Sequence, residues 1–432
     1  MRTKKNIYLK YDELEKKFRP SGANFATYDT PVNFKESLTQ PIHRWYGYKE
    51  GFSPSFVESF IRKYAKDKQD VVLDPFGGVG TTALVAMQMG HTAYSMDVNP
   101  LSVFVARTKT RKYKNSDIKQ IQNSIENLKR TTKISKDINI LNTTVEKYFD
   151  ATTFDAILRI LTFIKKINNT VVRDIFRLAI VSLIPDLSTH KKNGNGVKKK
   201  KKVPQPHDFK TLKEIIIKRI NLFCEDITSQ KNSGECIIWE GSNLKEYTLP
   251  QKASLVLTSP PYANCFDYSK VYLTELWMGG FFKSPDDQKK FRIESVSSHV
   301  HFSWPDRNEK YGSSIVNDLI IPYLSTADLW SEKIPKMLIG YFCDIGKFLS
   351  NLSKNLKDKA IVGIVVGNSV YGGLPIATDI LIAEMAEKIG YECTEIKIYR
   401  KVVASSQQMI LLNKNELHFV RESMVVLRWS QT

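Results

Sequence analysis

The chain has 432 residues, 42% hydrophobic and 25% charged, which fits a soluble globular protein with room for two domains. Lys and Arg outnumber Asp and Glu by 64 to 45, a net charge of +19 that favours a polyanionic partner. Charge alone leaves a solubility role or anionic lipid open. The five cysteines form no CxxC pair, which argues against a zinc ribbon or redox motif and for plain thiols in a reducing cytosol. No apolar run follows Met1, so no signal peptide is expected, and no stretch reaches the ~18 apolar residues that span a bilayer.

Residues 1–40 are polar and mixed, and read as an irregular or helical arm. Residues 41–49 are aromatic and basic, with His43, Arg44, Trp45 and Tyr46 suited to a ligand, to a nucleic acid or to the core. Ser53-Pro54 opens a helix with Phe56, Val57, Phe60 and Ile61 on one face. An apolar strand at 71–73 runs into a Gly-rich turn, a helix covers about 81–89 with Gly90 as its C-cap, and 92–97 reads as the next strand. This β-turn-α-β unit predicts parallel strands with a right-handed crossover.

Residues 112–230 break the rhythm with helical stretches, including 118–129 and 154–167. The lysine-rich run 191–202 is expected to be a mobile, solvated loop that touches phosphate. The sheet pattern resumes at 236–243 and 254–257; a polar, aromatic-containing segment then fills 280–330. Helices at about 335–356 and 378–389 alternate with strands at 360–366, 393–399 and 423–428. The alternation predicts an α/β fold with a largely parallel sheet and an inserted helical region.

Asp74 ends a strand, where ligands bind in open α/β sheets. Gly77, Gly78 and Gly80 make a tight turn that lets a ligand approach the backbone. The spacing is not the G-x-G-x-x-G of a dinucleotide site, and no Lys follows as in a phosphate-binding loop. Asp97, 23 residues past Asp74, can accept hydrogen bonds from both ribose hydroxyls of a nucleoside; an ordinary surface Asp is the alternative. Gly241-Ser242-Asn243 ends a third strand and could touch an adenine ring.

The turn Ser259-Pro260-Pro261-Tyr262 offers a hydroxyl, rigid outward carbonyls and a flat ring. A carbonyl and the Ser259 hydroxyl can hold an exocyclic amino group, and Tyr262 can stack on an extruded base. Glycine turn and Pro-Pro turn together suggest a methyl donor held beside a flipped-out base. No Cys follows a Pro, which disfavours a thiol nucleophile and leaves Cys265 a packed thiol. The seven histidines show no ligand spacing with cysteine or carboxylate, so no metal site is expected. Arg292, His299 and His301 read equally as DNA contacts or plain surface.

The two motifs resemble those of the S-adenosylmethionine-dependent DNA amino-methyltransferases, the bacterial modification methylases. Asp74-Pro-Phe-Gly-Gly-Val-Gly-Thr-Thr82 is similar to their cofactor motif, and Thr258-Ser-Pro-Pro-Tyr262 to their catalytic motif, with Ser before Pro-Pro commonest in the cytosine-N4 branch. The resemblance covers roughly 41–110 and 235–430. It implies a Rossmann-like class I methyltransferase fold, with a twisted seven-stranded sheet flanked by helices. It assigns cofactor contacts to Asp74, Phe76, Gly77, Gly78, Gly80, Thr81, Thr82, Asp97, Ser242 and Tyr46, and catalysis to Ser259, Pro260, Pro261 and Tyr262. Residues 41–52 would lie beside the methionine end of the cofactor.

The expected organisation is an arm (1–40), the cofactor-binding half of the core (41–111), a helical insertion with a candidate target-recognition role (112–230), the catalytic part (231–279), a candidate DNA-contacting insertion (280–330) and the C-terminal core (331–432). The implied partner is double-stranded DNA in a bacterial cytoplasm. A cognate restriction endonuclease would be a partner in function only, and no membrane is involved. The motifs come cofactor first and catalytic second, the reverse of the commonest cytosine-N4 order, so adenine N6 stays open. RNA methylation and a non-catalytic nucleic-acid binder are the remaining alternatives.

Overall fold

The computed structural model describes residues 2–22, 32–138, 140, 142–194, 196–230, 233–401 and 411–430. Its strands in chain order are β1 (Ser21–Gly22), β2 (Val71–Asp74), β3 (Thr92–Asp97), β4 (His190–Asn193), β5 (Gly196–Lys199), β6 (Cys236–Glu240), β7 (Ala253–Thr258), β8 (Leu356–Gly367), β9 (Ser369–Tyr371), β10 (Leu374–Ile376), β11 (Tyr391–Lys401) and β12 (Arg421–Trp429). Eight of them form one sheet in the order β1-β11-β12-β8-β7-β2-β3-β6. Pairing is parallel from β8 through β6, and β12 runs antiparallel between β8 and β11. The sheet thus has one strand more than expected: the two-residue β1, which pairs parallel with β11. This is the Rossmann-like, mostly parallel α/β sheet that the resemblance implied.

Strand order reverses between β2 and β7. The connection after β2 leads to β3 on one side, while β7 and β8 build outward on the other. Such a switch point opens a crevice at the carboxyl ends of the strands. Alternation along β2 explains why its four residues are all apolar or buried. Val71 and Leu73 face the core layer under the helices Ile334–Ser353 and Thr378–Ile389. Val72 faces the layer under Pro54–Tyr64 and Thr81–Gln88.

The helix Pro54–Tyr64 forms because Pro54 suits the first turn and the Ser53 side chain accepts from the Phe56 amide, a cap worth about 1 kcal/mol. It buries the four apolar residues expected of it. Gly390, at φ +109, ends the helix Thr378–Ile389 in the left-handed conformation that glycine adopts freely.

The N-terminal segment is more than an arm. Helix Arg2–Phe18 packs Ile7, Tyr11 and Leu14 into the main core, although part of the 1–40 segment (residues 23–31) lies outside the described residues. Within 112–230, helices Asn115–Arg130, Ala151–Lys165, Thr170–Leu187 and Phe209–Ser229 pack into one core that also takes in Trp45, Leu84, Val105 and Tyr272 from outside this region. The lysine-rich loop is a correction: His190–Asn193 and Gly196–Lys199 pair antiparallel as a hairpin, β4 with β5. The sequence tract looked unable to pack because its charges are consecutive; along β4 alternate residues face opposite sides, so Lys192 is half-buried while Lys191 is exposed. Among the described residues no helix is long and apolar enough to cross a membrane.

Candidate active site

The carboxyl ends of β2 and β7 are tied together. The Thr258 hydroxyl donates to Asp74 Oδ1 at 2.8 Å, and the Phe76 amide lies 3.1 Å from Asp74 Oδ1 and 3.2 Å from the Thr258 hydroxyl. The glycine turn is then drawn against β3. Gly77 donates to the Met96 carbonyl at 2.9 Å, and a Cβ on Gly77 would stand 1.8 Å from Ser95 Oγ, so any side chain there would have to displace Ser95. Gly78 and Gly80 have φ of +49 and +81. Gly80 packs against Ala106, and its turn launches the buried helix Thr81–Gln88.

Asp97 receives two backbone amides, Gly78 at 2.8 Å and Asn99 at 2.7 Å. Burial pushes Asp97 up to about 6, against the pull of the Asn99, Gly78 and Val98 amides. Asp74 is likewise pushed up to about 6 by burial, against its hydrogen bonds with Thr258, Thr82 and Phe76.

These groups line one cavity of about 980 Å³, counting the part open to solvent. Of the residues expected at the site, Asp74, Phe76, Gly77, Gly78, Thr81, Thr82, Asp97, Ser242, Ser259 and Pro261 line it. Gly80, Pro260, Tyr262 and Tyr46 do not. Gly80 shapes the turn from below. The buried Tyr46 hydroxyl donates to Glu275 at 3.3 Å, and Tyr48, Glu50 and Gly51 from the same segment take the wall instead. Tyr48 lies over Gly78, where a Cβ would meet its ring at 3.1 Å.

His43 and Trp45 belong to the core. The Trp45 indole donates to Asp226 at 2.9 Å and stacks on Phe223. Burial pushes the His43 imidazole down to about 3, helped by nearby Lys109.

Ser259 donates to the Val365 carbonyl at 3.1 Å and, at 3.4 Å, to the Tyr262 hydroxyl, which in turn donates to Glu422 at 2.9 Å. The Tyr262 ring sits against Gly367, where a Cβ would meet it at 2.9 Å. The stacking platform expected of Tyr262 is therefore not presented to the cavity in this arrangement: its hydroxyl is tethered to Glu422 and its ring covers Gly367. Ser242 sits on the wall with its hydroxyl committed to the Glu294 carbonyl at 2.6 Å.

Further wall residues join those assigned to the cofactor and to catalysis, Asn243 among them from the end of the third strand. Asn99 and Asn243 are buried there, and Asn99 Nδ2 and Asn243 Oδ1 have no protein partner among the described residues. Asn99 announces itself only as a helix cap before Pro100. Asp267, Tyr268, Phe291, Arg292 and His299 close the far side. Arg292 donates to Asp267 at 2.9 Å and to the Ser269 hydroxyl at 2.8 Å. Arg292 and His299 thus belong to the cavity wall rather than to a plain surface.

His299, Asp267 and the exposed His301 bring ligand atoms within 4.8 Å of one another, a trio separated too widely in sequence to be read from spacing. The His301 amide faces His299 Nδ1 at 3.3 Å, so the His299 proton sits on Nε2, toward Asp267. Burial pushes His299 down to about 4, against the pull of Asp267. Arg292 already supplies the cation that Asp267 needs, and we assign no metal to the trio.

Cys265 is buried beside the Tyr371 hydroxyl and Met337, and burial raises its thiol above the ordinary range, as for a packed side chain.

A family model described as DNA methylase matches residues 2–106, which include the glycine turn and Asp97. The Type II methyltransferase M.BsoBI of Geobacillus stearothermophilus is 26% identical over 442 aligned residues, covering 88% of this chain and 84% of that protein. M.AvaI of Nostoc sp. is 24% identical, covering 88% and 85%. M.MvaI of Kocuria varians is 25% identical, covering 90% and 89%. These full-length alignments span both motifs.

Proposed function

We propose that this chain, a relative of the DNA amino-methyltransferases and hence a user of S-adenosylmethionine as methyl donor, methylates the exocyclic amino group of one base at a specific site in double-stranded DNA. Cytosine N4 is the favoured acceptor, and a Type II restriction–modification pair the setting, as the names of its relatives suggest. One observation carries the reading: Asp97, the glycine turn and Ser259, far apart in the chain, converge on a single switch-point cavity.

The cavity fits the methyl donor. Asp97 and the backbone-lined turn offer a carboxylate to ribose hydroxyls, and Asn99 Nδ2 and Asn243 Oδ1 supply an unpartnered donor and acceptor suited to an adenine edge. Tyr48, Glu50 and Gly51 supply the wall expected of residues 41–52. When bound, S-adenosylmethionine supplies an electrophilic sulfonium methyl.

The chain's own residues hold and orient the acceptor. Ser259 and a carbonyl of the Pro-Pro turn, whose Pro261 lines the cavity, accept the two amino hydrogens, which fixes the nitrogen lone pair toward the donor. The base must leave the duplex stack to reach this depth. As the C–N bond forms the S–CH3 bond breaks, its electron pair staying on the sulfur, and the nitrogen becomes cationic and must lose a proton. Ser259, Tyr262 and Glu422 form a donor-to-acceptor series running away from the cavity, through which that proton can pass to a carboxylate.

The test is to incubate the purified protein with unmethylated genomic DNA and labelled S-adenosylmethionine, then digest and separate the nucleosides. Label in N4-methylcytosine is the expected result. Label in N6-methyladenine overturns the base assignment and keeps the mechanism. Absence of label from DNA overturns the reading.

A further inference from the structure

The β4–β5 hairpin has a construction that stability alone does not explain. Lys191 and Lys198 face each other across the strands and are exposed, and Lys199 beside them opposes His190. Among the described residues no carboxylate pairs with Lys191, Lys198 or Lys199. Like charges directly opposite destabilise a hairpin, and a two-stranded hairpin is marginal by itself.

The arm is held from its other face. Lys192 turns inward, with its ammonium 2.6 Å from Glu275 and 3.4 Å from the centre of the Tyr272 ring. Glu275 is fully buried. The Tyr272 hydroxyl donates to Glu50, which lines the cavity. β5 also packs on the short helix Tyr268–Val271, and Tyr268 lines the same cavity. At the base, Lys200 caps the carbonyls of Pro185 and Asp186 at 2.9 and 3.1 Å. Among the described residues the tip is open: a Cβ on Gly194 or Gly196 would meet nothing within 4 Å.

We propose that this hairpin is a phosphate-gripping arm for duplex DNA, with Lys191 and Lys198 taking backbone phosphates beside the target base and Lys192 locking the arm to the cavity wall. The inference rests on the DNA reading above and adds the surface that holds the duplex. A phosphodiester relieves the facing-charge repulsion that the protein leaves uncompensated. A lipid surface fits less well, because the described tip residues, Asn193, Gly194 and Gly196, carry no apolar group to insert. The arm positions and does not discriminate, since phosphate contacts carry no sequence information.

The test uses the full-length protein and a fluorescent duplex of mixed sequence, with dissociation constants measured across a salt series. Lys191→Gln/Lys198→Gln removes the facing charges, so the hairpin should remain folded; a thermal shift with S-adenosylmethionine verifies this. The expected result is a fall of about 2 in the slope of log Kd against log salt, with about tenfold weaker binding at low salt. An unchanged slope, in a protein whose wild type labels DNA, overturns the arm and leaves the function standing. Wild type that neither binds nor labels DNA overturns both. Anionic phospholipid vesicles or RNA bound more tightly than DNA by the wild type, with that preference lost in the double variant, overturn the choice of partner.

Discussion

Ser259 and Asp97 carry the two halves of the proposed chemistry, and each makes a distinct prediction. Ser259→Ala removes the hydroxyl that orients the amino group but no packing of consequence. Turnover is expected to fall about a hundredfold with cofactor affinity unchanged, measured as kcat and as a calorimetric Kd. Tyr262→Ala should also lower turnover, because it breaks the series from Ser259 to Glu422. Full turnover in both variants would sink the assignment. Asp97→Asn acts on the other half: it keeps the shape and loses the charge, and hydrogen bonds to a charged group are worth about 1.5–3 kcal/mol. The cofactor Kd should rise about tenfold or more, while the helices and sheet persist by circular dichroism.

At the scale of elements, the segment 41–52 depends on a helix far away in sequence. Asp226, in the helix Phe209–Ser229, accepts from the Ile42 amide at 2.9 Å, from Arg44 at 2.6 and 3.1 Å, and from the Trp45 indole at 2.9 Å. These bonds hold Ile42 at φ +65, a conformation unfavourable for a β-branched residue. Asp226→Ala leaves buried donors unpaired, and we expect a loss of about 3 kcal/mol in urea unfolding. The same variant should raise the cofactor KM, since Tyr48, Glu50 and Gly51 follow directly on this anchor. Loss of stability with an unaltered KM would mean that the anchor serves the fold alone. The inserted helices are therefore structural support for the cavity wall as well as carriers of the hairpin.

For the whole molecule, the raised carboxylates at the cavity make stability and cofactor binding respond to pH in opposite directions. Asp74 and Asp97, both pushed up to about 6, have folded-state values above the unfolded reference of about 3.9. Between those values the folded state holds more protons. The stability they contribute is therefore full below about 4 and is lost as pH rises through about 6. Comparing urea midpoints of the wild type and Asp97→Asn from pH 4 to 7 isolates the effect: the wild type should lose ground to the variant as pH rises. A constant difference across that range would contradict it. In the proposed role Asp97 binds the cofactor as the carboxylate, so the wild-type Kd should weaken as pH falls below about 6, and this dependence should flatten in Asp97→Asn.

What could be read from the chain alone was whatever depends on neighbours in sequence. The helix at 378–389 and the strand at 92–97 follow from local periodicity and caps and appear with the expected bounds. The glycine turn and the Pro-Pro turn state their backbone needs in consecutive residues. Tertiary structure decided everything that depends on which strands meet. The switch point between β2 and β7 brings Asp74 beside Thr258, residues separated by 184 positions. Asp267, Arg292 and His299 reach the cavity because the chain folds back over it, and no spacing encodes that. Tyr46 and Tyr48 are alike by composition, and only the packing of Tyr46 on Glu275 and of Tyr48 over Gly78 separates core from wall. The lysine run shows the same division: composition set its charge, while strand pairing and the buried Glu275 determined which lysine turns inward, because a buried carboxylate must find a cation.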